Sequence, residues 1–238
     1  MVGNPGEALP LGRDLGPKQQ IVLFRPRRGE RAEPLYFHEV RPREGLYRPL
    51  PGLQRQFLGM MFSAIDLRGW SFAGADLRGA VFWNVNLEGA DFTGADLRGV
   101  TFRVAELNGV DFSGADVRGT LFSGNMSVQQ IRSTVSYQVG DLTGVAFVGD
   151  FTGFDLSGQD LTDTNWGFCH LTDADFSDAV VTGANFYHIH TGLTPDQIRS
   201  TWSYRNGRMN GVTLPRDWPE DWDHTATHSA DEAGQDDP

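Results

Sequence analysis

The sequence has a single cysteine, Cys169, and no long hydrophobic run. One cysteine excludes an internal disulfide framework and is typical of a protein in a reducing compartment. The first residues, MVGNPGEALPLGRDLG, lack an apolar core of signal-peptide length, and no stretch approaches the length needed to span a membrane. We therefore expect a cytoplasmic protein that has no membrane partner.

Basic residues are missing from a long central stretch, because neither Lys nor Arg occurs between Arg132 and Arg199. It contains nine aspartates, eight of them from Asp141 to Asp178 and the ninth at Asp196. An acidic surface repels nucleic acid and attracts basic proteins, so we expect a protein partner and no direct binding of nucleic acid. The net charge of −11 is divided as +4 over residues 1–56, −3 over 57–124, −7 over 125–190 and −5 over 191–238.

Catalytic motifs are absent from the sequence as well. The glycines recur every five residues and not in the spacings that cradle phosphates. Serines beside aspartates, as in SGADVRGT, have no partnered base. Cys169 occupies a slot for small inward residues, where burial makes a thiol inert. We expect neither an enzyme nor a cofactor.

The sequence does contain a large apolar residue at every fifth position over long stretches. An amphipathic helix needs apolar positions about 3.6 residues apart and a half-buried strand needs them two apart, so a period of five fits neither. The chain must return to one interior by another route. The first series of these central residues is Phe57, Phe62, Leu67, Phe72, Leu77, Phe82, Leu87, Phe92, Leu97, Phe102, Leu107, Phe112, Val117 and Phe122. The second is Leu142, Phe147, Phe151, Leu156, Leu161, Trp166, Leu171, Phe176, Val181 and Phe186.

The residues around each centre follow the motif A-[D/N]-[L/F]-x-G, as in Ala75 to Gly79. The small residue and the centre lie two apart and point inward, while the Asp or Asn between them points outward, as in a strand. The glycine supplies the backbone freedom for a corner. Phe and Leu alternate, which makes a ten-residue superperiod and a polygon with an even number of sides. Each unit is therefore predicted to form one side of a polygonal coil.

This motif resembles that of the pentapeptide-repeat family over residues 57–124 and, after an interruption, 141–191. The resemblance implies an all-β fold, a right-handed four-sided parallel β-helix in which Phe and Leu fill alternate interior corners. Some members of that family resemble duplex DNA in shape and charge, bind DNA gyrase or topoisomerase IV, and protect it from quinolones or toxins. One departure is the four-residue step from Phe147 to Phe151, where we expect the coil to lack a residue.

Two segments align with each other at a constant offset of 67 residues: SVQQIRSTVSYQVGDLTGVAF, from Ser127, and TPDQIRSTWSYRNGRMNGVTL, from Thr194. Each opens with Ser or Thr followed three residues later by Gln, an N-cap pattern, and Pro195 takes the first helical position. We expect each to form a short helix that leaves the coil, the second capping the open end. A homodimer through a coil end is a further expectation, because such an end exposes unpaired strand edges.

The predicted organisation follows from these boundaries. It comprises a disordered N-terminus at 1–20, an N-terminal β cap at 21–56, a first repeat block at 57–124, a helical insert at 125–140, a second repeat block at 141–191, a helical C-terminal cap at 192–223 and a disordered acidic tail at 224–238.

One set of residues is a candidate for binding metal. Asp150, His170 and His190 are twenty residues apart, and they directly precede Phe151, Leu171 and, as the final centre, Thr191. They are expected to stack on an outer face at about 4.8 Å. Two histidines and a carboxylate can ligate zinc, but a vertical ladder seldom offers tetrahedral geometry. The pattern favours a plain polar ladder over a metal site.

Two further features are candidates for binding a partner. One is a column of arginines beside a column of aspartates, which forms either a charged docking strip or, as we favour, a self-neutralising grid. The other is Trp83, which points outward one coil before Arg103 and either packs under the N-terminal segment or anchors a partner. The arginine column consists of Arg78, Arg98 and Arg118, and its aspartates are Asp76, Asp96 and Asp116.

The leading functional hypothesis is a non-catalytic interaction module, a rigid acidic scaffold that presents columns of side chains to a protein. The alternative is a DNA mimic that binds gyrase or topoisomerase IV. The arginine column and the basic N-terminal segment speak against this alternative, because they interrupt a uniform negative field. The acidic residues expected to meet a partner are Asp155, Asp160, Asp173 and Asp175.

Overall fold

The chain winds into a stack of four-sided coils. In this computed structural model the described residues are 57–124, 126–189, 191–216 and 218, together with the backbone of three two-residue strands nearer the N-terminus. The strands are β1 (Leu9–Pro10), β2 (Val22–Leu23), β3 (Tyr36–Phe37), β4 (Met61–Ser63), β5 (Val81–Trp83), β6 (Thr101–Arg103), β7 (Leu121–Phe122), β8 (Gly149–Asp150) and β9 (Cys169–His170). The helices are α1 (Val128–Arg132), α2 (Val135–Gln138), α3 (Pro195–Arg199) and α4 (Trp202–Arg205).

Parallel pairing at a step of twenty residues defines the coil. Strands β4 to β7 form one parallel sheet in which Phe62 pairs with Phe82, Phe82 with Phe102, and Phe102 with Phe122. Single parallel bridges at the same step, such as Asp76 with Asp96, form the other sides. The predicted four-sided parallel β-helix is therefore confirmed.

The sides are named here by their central residues. Side 1 contains Phe62, Phe82, Phe102, Phe122, Phe147, Trp166 and Phe186. Side 2 contains Leu67, Leu87, Leu107, Phe151 and Leu171. Side 3 contains Phe72, Phe92, Phe112, Leu156 and Phe176. Side 4 contains Leu77, Leu97, Val117, Leu142, Leu161 and Val181.

The interior is filled by the centres, and all of those named are buried. The side 1 phenylalanines of β4 to β7 stack with ring centroids 4.6–5.4 Å apart, and those of side 3 stack at 4.8 and 5.5 Å. The two columns meet edge to face at 5.7–6.0 Å, a favourable arrangement for aromatic rings. The Phe and Leu alternation thus serves packing.

The corners require a left-handed backbone. Gly79 has a φ of +67°, which costs a residue without a Cβ little. The corner that follows side 1 is different, because Val104 adopts a φ of +52° there and Phe168 a φ of +67°. Such angles are uncommon for bulky residues, whereas the non-glycine residues with a left-handed φ at the other described corners are aspartates, Asp163, Asp173 and Asp178, which tolerate it better.

The second block contains the shortened unit that the sequence predicts. Asp141 pairs with Asp160 and Ala146 with Asn165, so this coil has nineteen residues in place of twenty. The coil that follows His170 is one residue longer than usual, because His170 pairs with Thr191. These changes of register shift every column that crosses them.

The two helical segments differ from expectation, because each forms two short helices that stay within the wall of the coil. Ser127 and Thr194 cap α1 and α3 with the reciprocal Gln contacts that their motif predicts. However, Ile131 and Ile198 are buried in the core, so the expectation that these segments leave the coil is wrong.

Hydroxyl groups explain how helices can replace a side of the coil. The backbone N–H of Val117 donates to Ser136 Oγ at 2.9 Å, and that of Val181 donates to Ser203 Oγ at 2.9 Å. In an uninterrupted coil these N–H groups donate to a carbonyl oxygen of the next coil, as Leu97 N does to Asp116. A serine side chain therefore replaces the missing backbone acceptor, and the wall remains hydrogen-bonded.

The termini fall largely outside the described residues. This holds for the predicted disordered segments at 1–20 and 224–238 and for the N-terminal β cap at 21–56, apart from the backbones of β1, β2 and β3. β3 pairs in parallel with β4, and β1 pairs with β2 in antiparallel. Among the described residues, no helix is long and apolar enough to cross a membrane.

Candidate protein-interaction surface

The acidic residue before each centre has a structural role that does not need its charge. Asp155 Oδ1 accepts hydrogen bonds from the backbone N–H of Ser157 at 3.0 Å and from its hydroxyl at 2.6 Å. Asn86 holds Glu88 in the same way, with 2.9 Å between Oδ1 and the backbone nitrogen. An oxygen is sufficient to brace the turn, so Asp and Asn are equivalent here and the net charge of each side can vary independently of the fold.

On side 4 of the first block the carboxylates are neutralised by arginines. Arg78 donates from Nε and Nη2 to both oxygens of Asp76, at 2.8 and 2.7 Å, and its Nε lies 3.5 Å from Asp96 in the next coil. The hydrogen bonds from Arg78 hold the pKa of Asp76 below its ordinary value. The same pairing recurs for Arg98 with Asp96 and Asp116, and for Arg118 with Asp116 and Asp141. The side is a continuous ladder of alternating charge.

The aspartate–arginine pairs of the first block, on side 4 and at Asp66 with Arg68 on side 2, make a prediction about pH. The pKa values of Asp66 and Asp76 are lowered, chiefly by hydrogen bonds from Arg68 and Arg78. A lowered folded-state pKa stabilises the protein above the unfolded value of about 3.9, and that contribution disappears as the pH falls through the folded value. We therefore expect a melting temperature that is flat from about pH 7 to 5 and decreases below about pH 4, measured by circular dichroism. Replacing Arg68 and Arg78 with Gln should make the acid decrease shallower, and an unchanged slope would contradict this assignment.

In the second block a set of carboxylates lacks such partners. We name Asp155, Asp160, Asp173 and Asp175 the acidic quartet. No described Lys or Arg forms a salt bridge with any of the four. Asp160 is half-buried and the other three residues are exposed. The pKa of Asp155 is lowered mainly by the hydrogen bonds from Ser157, with a smaller electrostatic contribution from Arg132. Asp155, Asp160 and Asp175 each accept a hydrogen bond from the backbone N–H two residues further on, and Asp155 also accepts one from the Ser157 hydroxyl.

The members of the acidic quartet lie close together. Asp155 pairs with Asp175 across adjacent coils on side 3, so two like charges stand one above the other. Asp173 lies at the corner that precedes side 3, and Asp160 lies on side 4. Nearby, Arg205 pairs with Asp178, where the C-terminal helices pack on the last coils. The acidic quartet therefore extends over two adjacent coils, from the corner before side 3 across side 3 to side 4.

Trp83 is on the surface of the first block. Its side chain is 48% exposed, and the Arg103 Cζ lies 5.9 Å from its ring centroid. The contact joins consecutive coils, because β5 pairs Trp83 with Arg103 of β6. Its packing under the N-terminal segment stays a prediction, since that segment lies outside the described residues.

The predicted ladder of Asp150, His170 and His190 is wrong in register. Asp150 pairs with His170, but His170 pairs with Thr191, whose Oγ1 lies 2.9 Å from His170 Nδ1. The cause is the extra residue in this coil, and His190 itself lies outside the described residues. Within residues 57–124, 126–189 and 191–216, no three His, Cys, Asp or Glu side chains are grouped so that they could hold a metal ion.

Cys169 is buried in the interior at the start of side 2, two residues before Leu171. Burial raises the pKa of its thiol to about 12, and its Sγ donates to the carbonyl oxygen of Phe147 at 3.3 Å. A thiol that stays protonated in an apolar environment is a poor nucleophile. The residue therefore contributes packing to the second block.

Comparisons with known proteins agree with this geometry. The family model described as pentapeptide repeats matches in eight copies, over residues 62–94, 86–124 and 150–186. Those ranges contain the four-sided coils described above, whose centres lie five residues apart. Residues 62–124 and 150–186 of the chain therefore consist of pentapeptide repeats.

Several solved structures of pentapeptide-repeat proteins are similar to this chain. A trypsin-treated variant of QnrB1, a plasmid-mediated fluoroquinolone resistance protein, is 18% identical with a TM-score of 0.39, covering 68% of this chain and 86% of that one. HetL, involved in heterocyst differentiation regulation in the cyanobacterium Nostoc, is 18% identical with a TM-score of 0.23, covering 67% and 82%. A protein of the Arabidopsis thaliana thylakoid lumen is 20% identical with a TM-score of 0.25, covering 59% and 72%. No curated protein matches the chain.

The outward face of side 1 differs from those of the other sides, and the sequence analysis did not predict this difference. The row before the centre holds acidic or amide residues on most sides, but on side 1 the first five positions are apolar or uncharged. They are Met61, Val81, Thr101, Leu121 and Ala146. In the sequence this difference corresponds to the lack of Asp or Asn before the centre in every fourth repeat. It can be recognised only once the four sides of the coil are known.

Proposed function

We propose that this protein is a non-catalytic interaction module of the cytoplasm, a rigid acidic scaffold whose second block binds a basic protein. The observation that carries the proposal is the contrast between the two blocks. The carboxylates of side 4 in the first block are satisfied by arginines, whereas the acidic quartet forms no salt bridge with the described residues. A fixed, unneutralised patch is what a basic partner recognises.

Electrostatics explains why the patch favours a cationic partner. Two carboxylates separated by one coil, about 4.8 Å, repel each other by about 1 kcal/mol in water. An Arg or Lys placed between them removes that repulsion, as Arg78 does between Asp76 and Asp96. The acidic quartet has no such arginine among the described residues, so a basic side chain of the partner has to take that place. Complementary charge of this kind mainly raises the association rate and selects the partner.

Neutralising the acidic quartet is the test of this proposal. Replacing Asp155, Asp160, Asp173 and Asp175 with Asn should leave the fold intact, because Asn86, Asn165 and Asn185 already brace turns in this chain. We expect the melting temperature to hold or rise as repulsion falls. Affinity isolation from the native host should recover a basic protein with the wild-type chain and lose it with the quadruple variant.

The matched control changes the arginine column. Replacing Arg78, Arg98 and Arg118 with Gln should retain the partner, because those arginines serve their own aspartates. If the arginine variant loses the partner and the quadruple variant keeps it, the arginine column is the functional face and the proposal fails.

The second candidate function is that of a DNA mimic that binds gyrase. The density of aspartates in one part of the second block favours it. Eight aspartates between Asp141 and Asp178 lie within two coils, because Asp141 pairs with Asp160 and Asp160 with Val180. Arg118 pairs with Asp141 and Arg205 with Asp178, so six carboxylates form no salt bridge with a described Lys or Arg. Two coils span about 10 Å, which gives about one such charge per 1.6 Å, against about 1.7 Å in duplex DNA. This density extends over the length of roughly three base pairs only. The short extent favours a local basic patch over replacement of a duplex, and restoration of supercoiling by quinolone-inhibited gyrase would reverse this preference.

A further inference from the structure

Side 1 differs from the other sides in carrying almost no charge. Its outward residues flank the buried centres from Met61 and Ser63 at one end to Asn185 and Tyr187 at the other. The one charged residue among these flanking positions of the described coils is Arg103. Arg103 is exposed, stacks on Trp83, and has no salt bridge within the described part of the chain.

Exposed apolar side chains collect on this side and its following corner. Trp83 is 48% exposed, Val104 62%, Leu121 40%, Phe168 54% and Tyr187 37%. Phe168 stacks on His188 with 5.6 Å between ring centroids, and it keeps the left-handed φ that other corners assign to glycine or aspartate. An uncharged strip that holds several exposed aromatic rings is typical of a protein interface.

We infer that side 1 is the interface of a homodimer in which two copies run antiparallel. The charge of the chain argues for this occupant, since the net charge is −11 and sides 2 and 3 carry carboxylates that repel a second copy, while the carboxylates of side 4 in the first block are paired with arginines of the same chain. Two copies that contact each other through side 1 avoid that repulsion, because side 1 carries almost no charge. A twofold interface must also be complementary to itself, so residue i contacts residue j in both directions.

The arrangement of side chains meets that requirement around Leu121. Trp83 lies two coils before Leu121, and Phe168 lies two coils after it. Trp83 and Phe168 both follow their centres, so they lie at the same edge of side 1. A twofold axis parallel to the strand of Leu121 reverses the order of the coils in the second copy, but it leaves each residue at the same position along the strand direction. It therefore places Leu121 against its own copy and Trp83 of each chain opposite Phe168 of the other, at about 10 Å on either side of the axis.

The same axis provides a carboxylate for the charged residue of side 1. Arg103 lies one coil before Leu121, and the coil one step after Leu121 contains Asp150, the residue of side 2 that follows the corner next to Arg103's edge of side 1. Asp150 is exposed and has no salt bridge to a described Lys or Arg. Two symmetric pairs of Arg103 with Asp150 would thus flank the apolar centre of the interface.

Sedimentation of the full chain tests the interface. The wild-type chain should show a reversible dimer whose fraction grows with concentration, and Leu121→Asp should be monomeric. The matched control is Leu58→Asp, because Leu58 is 60% exposed on another side and should leave the dimer intact. Circular dichroism melts verify that both variants fold. A wild-type chain that stays monomeric, or a dimer that survives Leu121→Asp, would overturn the inference, and the latter result would favour contact through a coil end.

Cross-linking and charge exchange test the antiparallel orientation. Leu121→Cys should form a disulfide-linked dimer on mild oxidation while Leu58→Cys does not, and buried Cys169, with its pKa raised to about 12, stays unreactive. Arg103→Glu and Asp150→Arg should each weaken the dimer, and combining them should restore it. Weakening without restoration would contradict the antiparallel orientation. None of these residues belongs to the acidic quartet, so this result and that of the partner isolation are independent.

Discussion

Replacing Phe92 with alanine is expected to lower the free energy of unfolding by about 3–5 kcal/mol. Its ring stacks between those of Phe72 and Phe112, at 4.8 and 5.5 Å, and meets Phe82 and Phe102 edge to face. Hydrogen bonds in the walls hold neighbouring coils in register, so the stack cannot collapse into the space left by the ring. Chemical denaturation followed by circular dichroism measures the loss.

Glu88→Ala is the matched control for Phe92. Glu88 lies in a neighbouring unit, and its side chain is exposed. Its removal should change the free energy of unfolding by less than about 0.5 kcal/mol. Similar losses for the two variants would contradict the assignment of inward and outward residues.

Replacing Ile131 with alanine is expected to cost about 2–5 kcal/mol, although the residue lies in a segment that interrupts the repeats. Its side chain is 1% exposed and belongs to the same core cluster as the phenylalanines. Val139→Ala is the control, because Val139 lies just after α2 and is 70% exposed. A loss at Ile131 as small as that at Val139 would show that the helices are an appendage of the coil.

The five-residue period was sufficient to predict the coil, the interior residues and the shortened unit at Phe147. These features follow from local rules, since each side repeats one pattern of burial and each corner needs one backbone conformation. The capping residues Ser127 and Thr194 were predictable for the same reason, because a cap is recognised within four residues.

The features that the sequence did not predict depend on neighbouring coils. The helices stay in the wall because Ser136 and Ser203 reach the previous coil, and no local pattern distinguishes such a serine from a solvent-exposed one. His190 was misplaced because one additional residue in a coil shifts every column beyond it. The uncharged side 1 was missed because its residues are far apart in the chain.

The division of charge between the two blocks links the structure to the proposed function. Because Asp and Asn brace the turns equally well, a carboxylate at such a position adds charge without a folding requirement. In the first block the arginines balance that charge on side 4, and in the acidic quartet the described residues do not. The scaffold is thus common to both blocks, and the recognition surface is specific to one.

The association rate of the isolated partner, followed as a function of salt concentration, tests this division most directly. For the wild-type chain the rate should fall steeply as salt screens the acidic quartet. In the variant with Asn at Asp155, Asp160, Asp173 and Asp175, the rate should be slower and nearly independent of salt, whereas the variant with Gln at Arg78, Arg98 and Arg118 should keep the wild-type slope. A slope that survives neutralisation of the acidic quartet would contradict the proposal that this patch recognises the partner.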